Sequence, residues 1–134
     1  QVVELQLLPD LHIISDYDDS NCSISDGMNA AIEFYAKKKV DVFVGPVCDY
    51  AVAPIARQTR YWKIPLLSPG AMASDYGLHK VSMFPMLTRM GYNMNSFVDF
   101  LVQLLNKFGW RRFKTLYEPH GMNNIMDRFC HIGT

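Results

Sequence analysis

Val40-Asp41-Val42-Phe43-Val44 is a β-branched run that stops at Gly45-Pro46, and an Ala-rich helical pattern begins within a few residues. A buried strand that passes through a tight turn into a helix reads as the opening of a βαβ unit, and parallel strands joined by right-handed helical crossovers are the simplest arrangement. The chain repeats this alternation. Residues 11–14 and 64–68 read as strands, the second closed by Pro69-Gly70. Residues 113–117 read as a fourth, with a short extended segment at 84–88 inside a Gly-, Ser- and Met-rich loop over 71–92. Ile24, Met28, Ala31, Ile32 and Tyr35 recur at helical spacing, with Ser23 or Ser25 able to cap the helix and Asp26 in its first turn. A second helix is expected from about Asp49 to Tyr61. Met94, Phe97, Val98, Leu101, Leu105 and Phe108 make the strongest stripe, ended by Gly109, and a further helix opens near Met122. The stripes read as core. The fold class is α/β, a partial doubly wound parallel sheet.

The 134 residues are 49% hydrophobic, enough for the core of one domain. Thirteen basic and thirteen acidic residues cancel, so there is no charge footprint for nucleic acid or for an anionic membrane surface. Lys37-Lys38-Lys39 reads as the solvated end of a helix, where cations complement the dipole. No apolar run reaches membrane-spanning length, and Gln1-Val2-Val3-Glu4 lacks the basic-then-apolar pattern of a secretion leader. Any targeting or membrane segments are therefore expected outside this chain.

Enzymatic patterns are missing from the sequence. It has no glycine-rich phosphate loop and no nucleophile elbow. His12, His79, His120 and His131 are scattered, and the adjacent pair Cys130-His131 has poor geometry for a shared metal. Asp16, Asp18 and Asp19 lack the glycine and terminal glutamate of a calcium loop and read as a solvated turn. A binding module without catalytic or metal residues is expected.

The stretch from Gly45 to Arg57, followed by Tyr61-Trp62, carries the most information. Backbone amides at the start of its helix favour an anion. Ala51, Ala53 and Ala56 permit close packing on one side. Tyr50 and Arg57 lie two helical turns apart and share a face. A phenol and a guanidinium together suit an interface. Equally, Tyr50 can be half core and Arg57 an ordinary surface charge. Three cysteines are an odd number, which in a secreted protein suggests one internal pair and one partner elsewhere.

The Gly-Pro-x-Cys-x-Tyr opening, the Ala-rich helix with Arg57, and Trp62 resemble the signature of the natriuretic peptide receptor and receptor guanylyl cyclase ectodomains. More broadly they resemble the type I periplasmic-binding-protein fold. The sequence departs from the family at Val52, at Ile55, and at Tyr61, where a histidine is usual. The family's homodimer contact runs near that position, so the resemblance implies a receptor homodimer whose contact at Tyr61 differs.

The resemblance implies more. Cys22 and Cys48 stand at the spacing of the family's first disulfide, a bond expected to stabilise by about 3 kcal/mol. Cys130 matches the first half of a second disulfide whose partner would fall beyond Thr134; the alternative is a free buried thiol. A chloride ion, the only cofactor implied, would take the Ser15 hydroxyl and the amides of Val47 and Cys48. Tyr50 and Arg57 would face a peptide hormone. From its form alone, Asn21-Cys22-Ser23 is an N-glycosylation sequon. Residues 1–134 are expected to be the N-terminal lobe of an extracellular receptor domain, with its first strand, second lobe and membrane segments outside the chain. Residues 11–14 and 40–44 would then either pair directly or leave two sheet edges open. The implied function is part of a peptide-hormone-binding ectodomain. The alternatives are a glutamate-receptor-like small-ligand ectodomain fragment and a truncated decoy without activity.

Overall fold

The computed structural model describes residues 13–37 and 40–118. Helix α1 spans Ile24–Ala36, and Ser23 caps it by accepting the Asp26 amide at 3.2 Å. Strand β1 is Phe43–Val44, α2 is Asp49–Trp62, β2 is Leu66–Ser68, α3 is Asp75–Leu78, β3 is Leu87–Arg89 and α4 is Met94–Phe108. The three strands form one parallel sheet in the order β1-β2-β3, with Phe43 opposite Leu66 and Leu66 opposite Leu87. The α/β reading with a parallel sheet therefore stands.

The strands are shorter than their apolar runs. Pro65 has no amide proton to give, so β2 starts after it, although the Pro65 carbonyl still accepts the Phe43 amide at 2.9 Å. Phe84, expected in an extended segment, instead turns inward and is buried, and β3 begins beyond Pro85. Helix α3, inside the expected loop, is a single turn, too short for any periodic pattern to announce it.

Leu66, Leu87, Val52, Ala56, Tyr76 and Phe84 are buried between the sheet, α2 and the segment that carries α3. Helices α1 and α2 pack on each other at small residues: a Cβ on Gly27 would sit 3.5 Å from the Cβ of Ala51. The Trp62 ring stacks on Tyr35 of α1 with centroids 4.4 Å apart and lies 6.0 Å from the ring of Phe43.

Three expectations are corrected. Residues 113–117 form no strand; every one is exposed and none joins the sheet. Ile13 and Ile14 are likewise exposed and outside the sheet, so among the described residues they do not pair with β1, whose outer edge stays open. Residues 11 and 12, the helix expected from Met122, and Cys130 lie outside the described residues. Helix α4 forms as read, ending at Gly109 with φ 64°, but its stripe is not core: no residue of α4 is buried.

Candidate functional site at the start of α2

The turn between β1 and α2 is held by its neighbours. The Gly45 amide donates to the Leu67 carbonyl at 2.7 Å, and Gly45 itself sits at φ 93°, a conformation open to glycine. The Ser68 hydroxyl donates to the Pro46 carbonyl at 2.7 Å and accepts the Gly70 amide at 3.1 Å. Gly70 passes so close that an added Cβ would lie 1.8 Å from the Val47 carbonyl oxygen. The segments that follow β1 and β2 thus interlock, backbone against backbone at Gly70 and Val47 and through the Ser68 hydroxyl beside them.

Cys48 is the N-cap of α2, but its sulfur caps nothing because it is bonded to Cys22, with the two Cα atoms 5.5 Å apart. The bond ties the loop before α1 to the start of α2. Asp49 ties the other side. Its carboxylate accepts the Met72 amide at 2.8 Å and the Ala73 amide at 3.0 Å, and its carbonyl accepts the Tyr76 hydroxyl at 2.6 Å. Burial pushes the Tyr76 phenol well above its ordinary pKa, the Asp49 charge adds to that, and the Arg57 charge opposes it. Arg89 reaches the same loop, donating to the carbonyls of Ala71 and Ala73 at 3.3 Å each.

On this braced helix, Tyr50 is half-buried and Arg57 is exposed, its guanidinium carbon 5.4 Å from the centroid of the buried Phe84 ring. A cation over an aromatic face is held in place without losing its remaining N–H donors. By helical spacing the two stand on one side of a helix whose first turn is fixed from two sides.

Behind the turn lies a cavity of about 400 Å³, lined among others by Ser20, Cys22, Val47 and Cys48, with Asp18 and Asp19 at its wall. Among the described residues the Val47 and Cys48 amides make no hydrogen bond. Ser15 is exposed and does not line this cavity; Ser20 is the hydroxyl that does. The acidic loop turns back on its own backbone: Asp16 accepts the Tyr17 amide at 3.0 Å, Asp18 the Asp19 amide at 2.8 Å and Asp19 the Asn21 amide at 2.8 Å.

Tyr61 is exposed, with the Arg60 guanidinium donating to its hydroxyl at 2.6 Å, while its neighbour Trp62 packs inward. Asn21 is exposed at φ 49°. Sequence reasoning missed Asp49, Ser68 and Tyr76. An aspartate in the first turn of a helix is a readable signal, but its partners more than twenty residues away leave no local mark.

No described helix is long and apolar enough to cross a membrane. Residues 4–131 match the family model described as the receptor family ligand binding region. The chain is 32% identical over 122 residues to atrial natriuretic peptide receptor 3 of Rattus norvegicus, covering 87% of this chain and 21% of that protein. It is 32% identical over 101 residues to atrial natriuretic peptide receptor 2 of Bos taurus, covering 75% and 10%. A receptor-type guanylate cyclase of Caenorhabditis elegans is 30% identical over 105 residues, covering 77% and 9%. The chain spans about a fifth of the length of the receptor 3 relative.

Proposed function

The chain belongs to the receptor family ligand binding region family, and from that membership we propose that it supplies one wall of an extracellular peptide-hormone site. The observation that carries this reading is the braced start of α2. The Cys22–Cys48 bond and the Asp49 carboxylate fix the helix, so Tyr50 and Arg57 meet a ligand without first losing backbone freedom. Tyr50 offers apolar area, and Arg57 offers a planar fork for peptide carboxylates or carbonyls. In a receptor built this way a second lobe closes the cleft, so this wall alone binds weakly. A membrane anchor and, in a cyclase-type receptor, cyclic GMP production belong to the same reading.

Fluorescence titration of a labelled natriuretic peptide tests it. Arg57→Glu is expected to weaken binding at least about tenfold, the 1.4 kcal/mol scale of an interface anchor, with only the small loss of stability that giving up the contact with Phe84 brings. Equal affinity of the variant and the parent chain would remove Arg57 from the site.

Chloride is the ion proposed for the turn, on the amides of Val47 and Cys48, because those amides stand at a helix start, with Ser20 in place of the exposed Ser15 as the hydroxyl of that cavity. Replacing chloride with gluconate is expected to lower the melting temperature, and Ser20→Ala to shrink that difference. A receptor homodimer would find in Tyr61 an exposed ring backed by Arg60. Sedimentation of Tyr61→Ala against the parent chain measures that contact.

A further inference from the structure

Of the sequon Asn21-Cys22-Ser23 the site above uses only Cys22, yet the fold fixes the backbone or the side chain of all three residues. Cys22, the middle residue, is bonded to Cys48. The Ser23 hydroxyl accepts the Asp26 amide at 3.2 Å as the cap of α1 and lies 3.0 Å from the Ser25 hydroxyl. Asn21 and Cys22 are both in the left-handed region, at φ 49° and 52°. A glycosyl transferase must hold the asparagine amide and the hydroxyl two residues on in its own geometry. The folded turn withholds both the hydroxyl and the backbone freedom to comply.

The asparagine itself is open. Asn21 is exposed, and its side-chain nitrogen makes only a long contact of 3.4 Å to an Asp26 carboxylate oxygen. A sugar on that nitrogen would extend into water and displace no core residue. The site is therefore compatible with the folded product and closed to the modifying enzyme after folding.

We propose that Asn21 is N-glycosylated during synthesis, in competition with closure of the Cys22–Cys48 disulfide. Transfer breaks the bond between the anomeric carbon of an oligosaccharide and its lipid-linked pyrophosphate. It forms a C–N bond to Asn21 Nδ2 and releases an amide proton with the lipid pyrophosphate. The disulfide partner lies 26 residues further along the chain, so Asn21 emerges into the oxidising compartment before Cys48 does. That interval is the window for modification. Once Cys22 is oxidised onto Cys48, the left-handed turn and the α1 cap set and the window shuts. The inference rests on the extracellular reading above, since only the secretory route supplies both the lipid-linked sugar and an oxidising environment.

The test expresses the full chain behind a cleavable leader in cultured animal cells. Occupancy at Asn21 is read by mass spectrometry after enzymatic deglycosylation, which converts a modified asparagine to aspartate. The parent chain is expected to be partly occupied. Cys48→Ser, which leaves the sequon intact, is expected to raise occupancy towards completion in total cell lysate, whether or not the variant is secreted. Ser23→Thr keeps both the cap and the sequon and is expected to raise occupancy in secreted material. Ser23→Ala is expected to abolish it. An unmodified Asn21 in the parent chain and in both Cys48→Ser and Ser23→Thr overturns the proposal. Equal occupancy in the parent and Cys48→Ser overturns the competition. Peptide binding by secreted, unglycosylated chain would leave the hormone-site reading standing while this one fails.

Discussion

Residues 24–89 and residues 94–118 have similar apolar character and opposite fates. In the first region Leu66, Val52 and Ala56 have no exposed surface, and the strands, α1 and α2 hold one another. In the second, Phe97 is 46% exposed and Leu116 is 95% exposed, and the described contacts of α4 with the chain before it are at its start, where the Met94 amide donates to the Met72 carbonyl at 3.0 Å and the Phe97 ring lies 6.1 Å from that of Tyr92. The first region, together with Cys22 just ahead of it, also carries the interactions that shape the α2 site, from the disulfide to the Asp49 network. An amphipathic stripe establishes that a helix buries one face; it does not establish against what. Helix α4 is capped at both ends, by Asn93 and Gly109, and so is locally complete while its face is uncovered.

The largest expected effect separates the regions directly. Leu66→Ala removes a fully buried side chain from the centre of the sheet and is expected to cost about 2–5 kcal/mol. Leu101→Ser on the open face of α4 is expected to stay within about 0.5 kcal/mol. Urea titration of both variants gives the two numbers; similar losses would mean that α4 has a packed partner after all. Next in size is the disulfide. Reducing Cys22–Cys48 is expected to cost about 3 kcal/mol and to free the loop before α1, leaving α4 helicity unchanged by circular dichroism.

Tyr76 gives a smaller effect than the disulfide and adds a pH signature. Its phenol is a neutral acid whose folded pKa lies above the unfolded value of about 10. The folded chain keeps that proton where the unfolded chain gives it up. The contribution is therefore complete below about pH 10 and declines as pH rises beyond it. Tyr76→Phe is expected to cost about 1 kcal/mol at neutral pH, through the lost bond to the Asp49 carbonyl, and to flatten stability above pH 10. Unchanged alkaline sensitivity in the variant would assign the effect elsewhere.

Much of the first region was legible in the sequence because its signals are local. Ser23 and Asp26 mark the start of α1, Gly45-Pro46 the end of β1, and the Ala-rich run the face of α2 that meets α1. The cysteine pair was legible only through the family resemblance, since spacing alone does not fix connectivity. What stayed hidden is non-local. Nothing near Asp49 announces that it will gather the amides of Met72 and Ala73, and nothing near Gly70 announces its contact with Val47. Residues 113–117 show the converse: Phe113, Leu116 and Tyr117 suit a strand, but a strand needs a neighbour to pair with, and the described sheet ends at β3.

Hydrogen exchange of the chain with and without a natriuretic peptide tests the braced helix as a hormone wall most directly. Slowed exchange over residues 49–57 and 69–76, with α1 unaffected, is the expected footprint. Saturating peptide that protects only α4, or no segment at all, would contradict it.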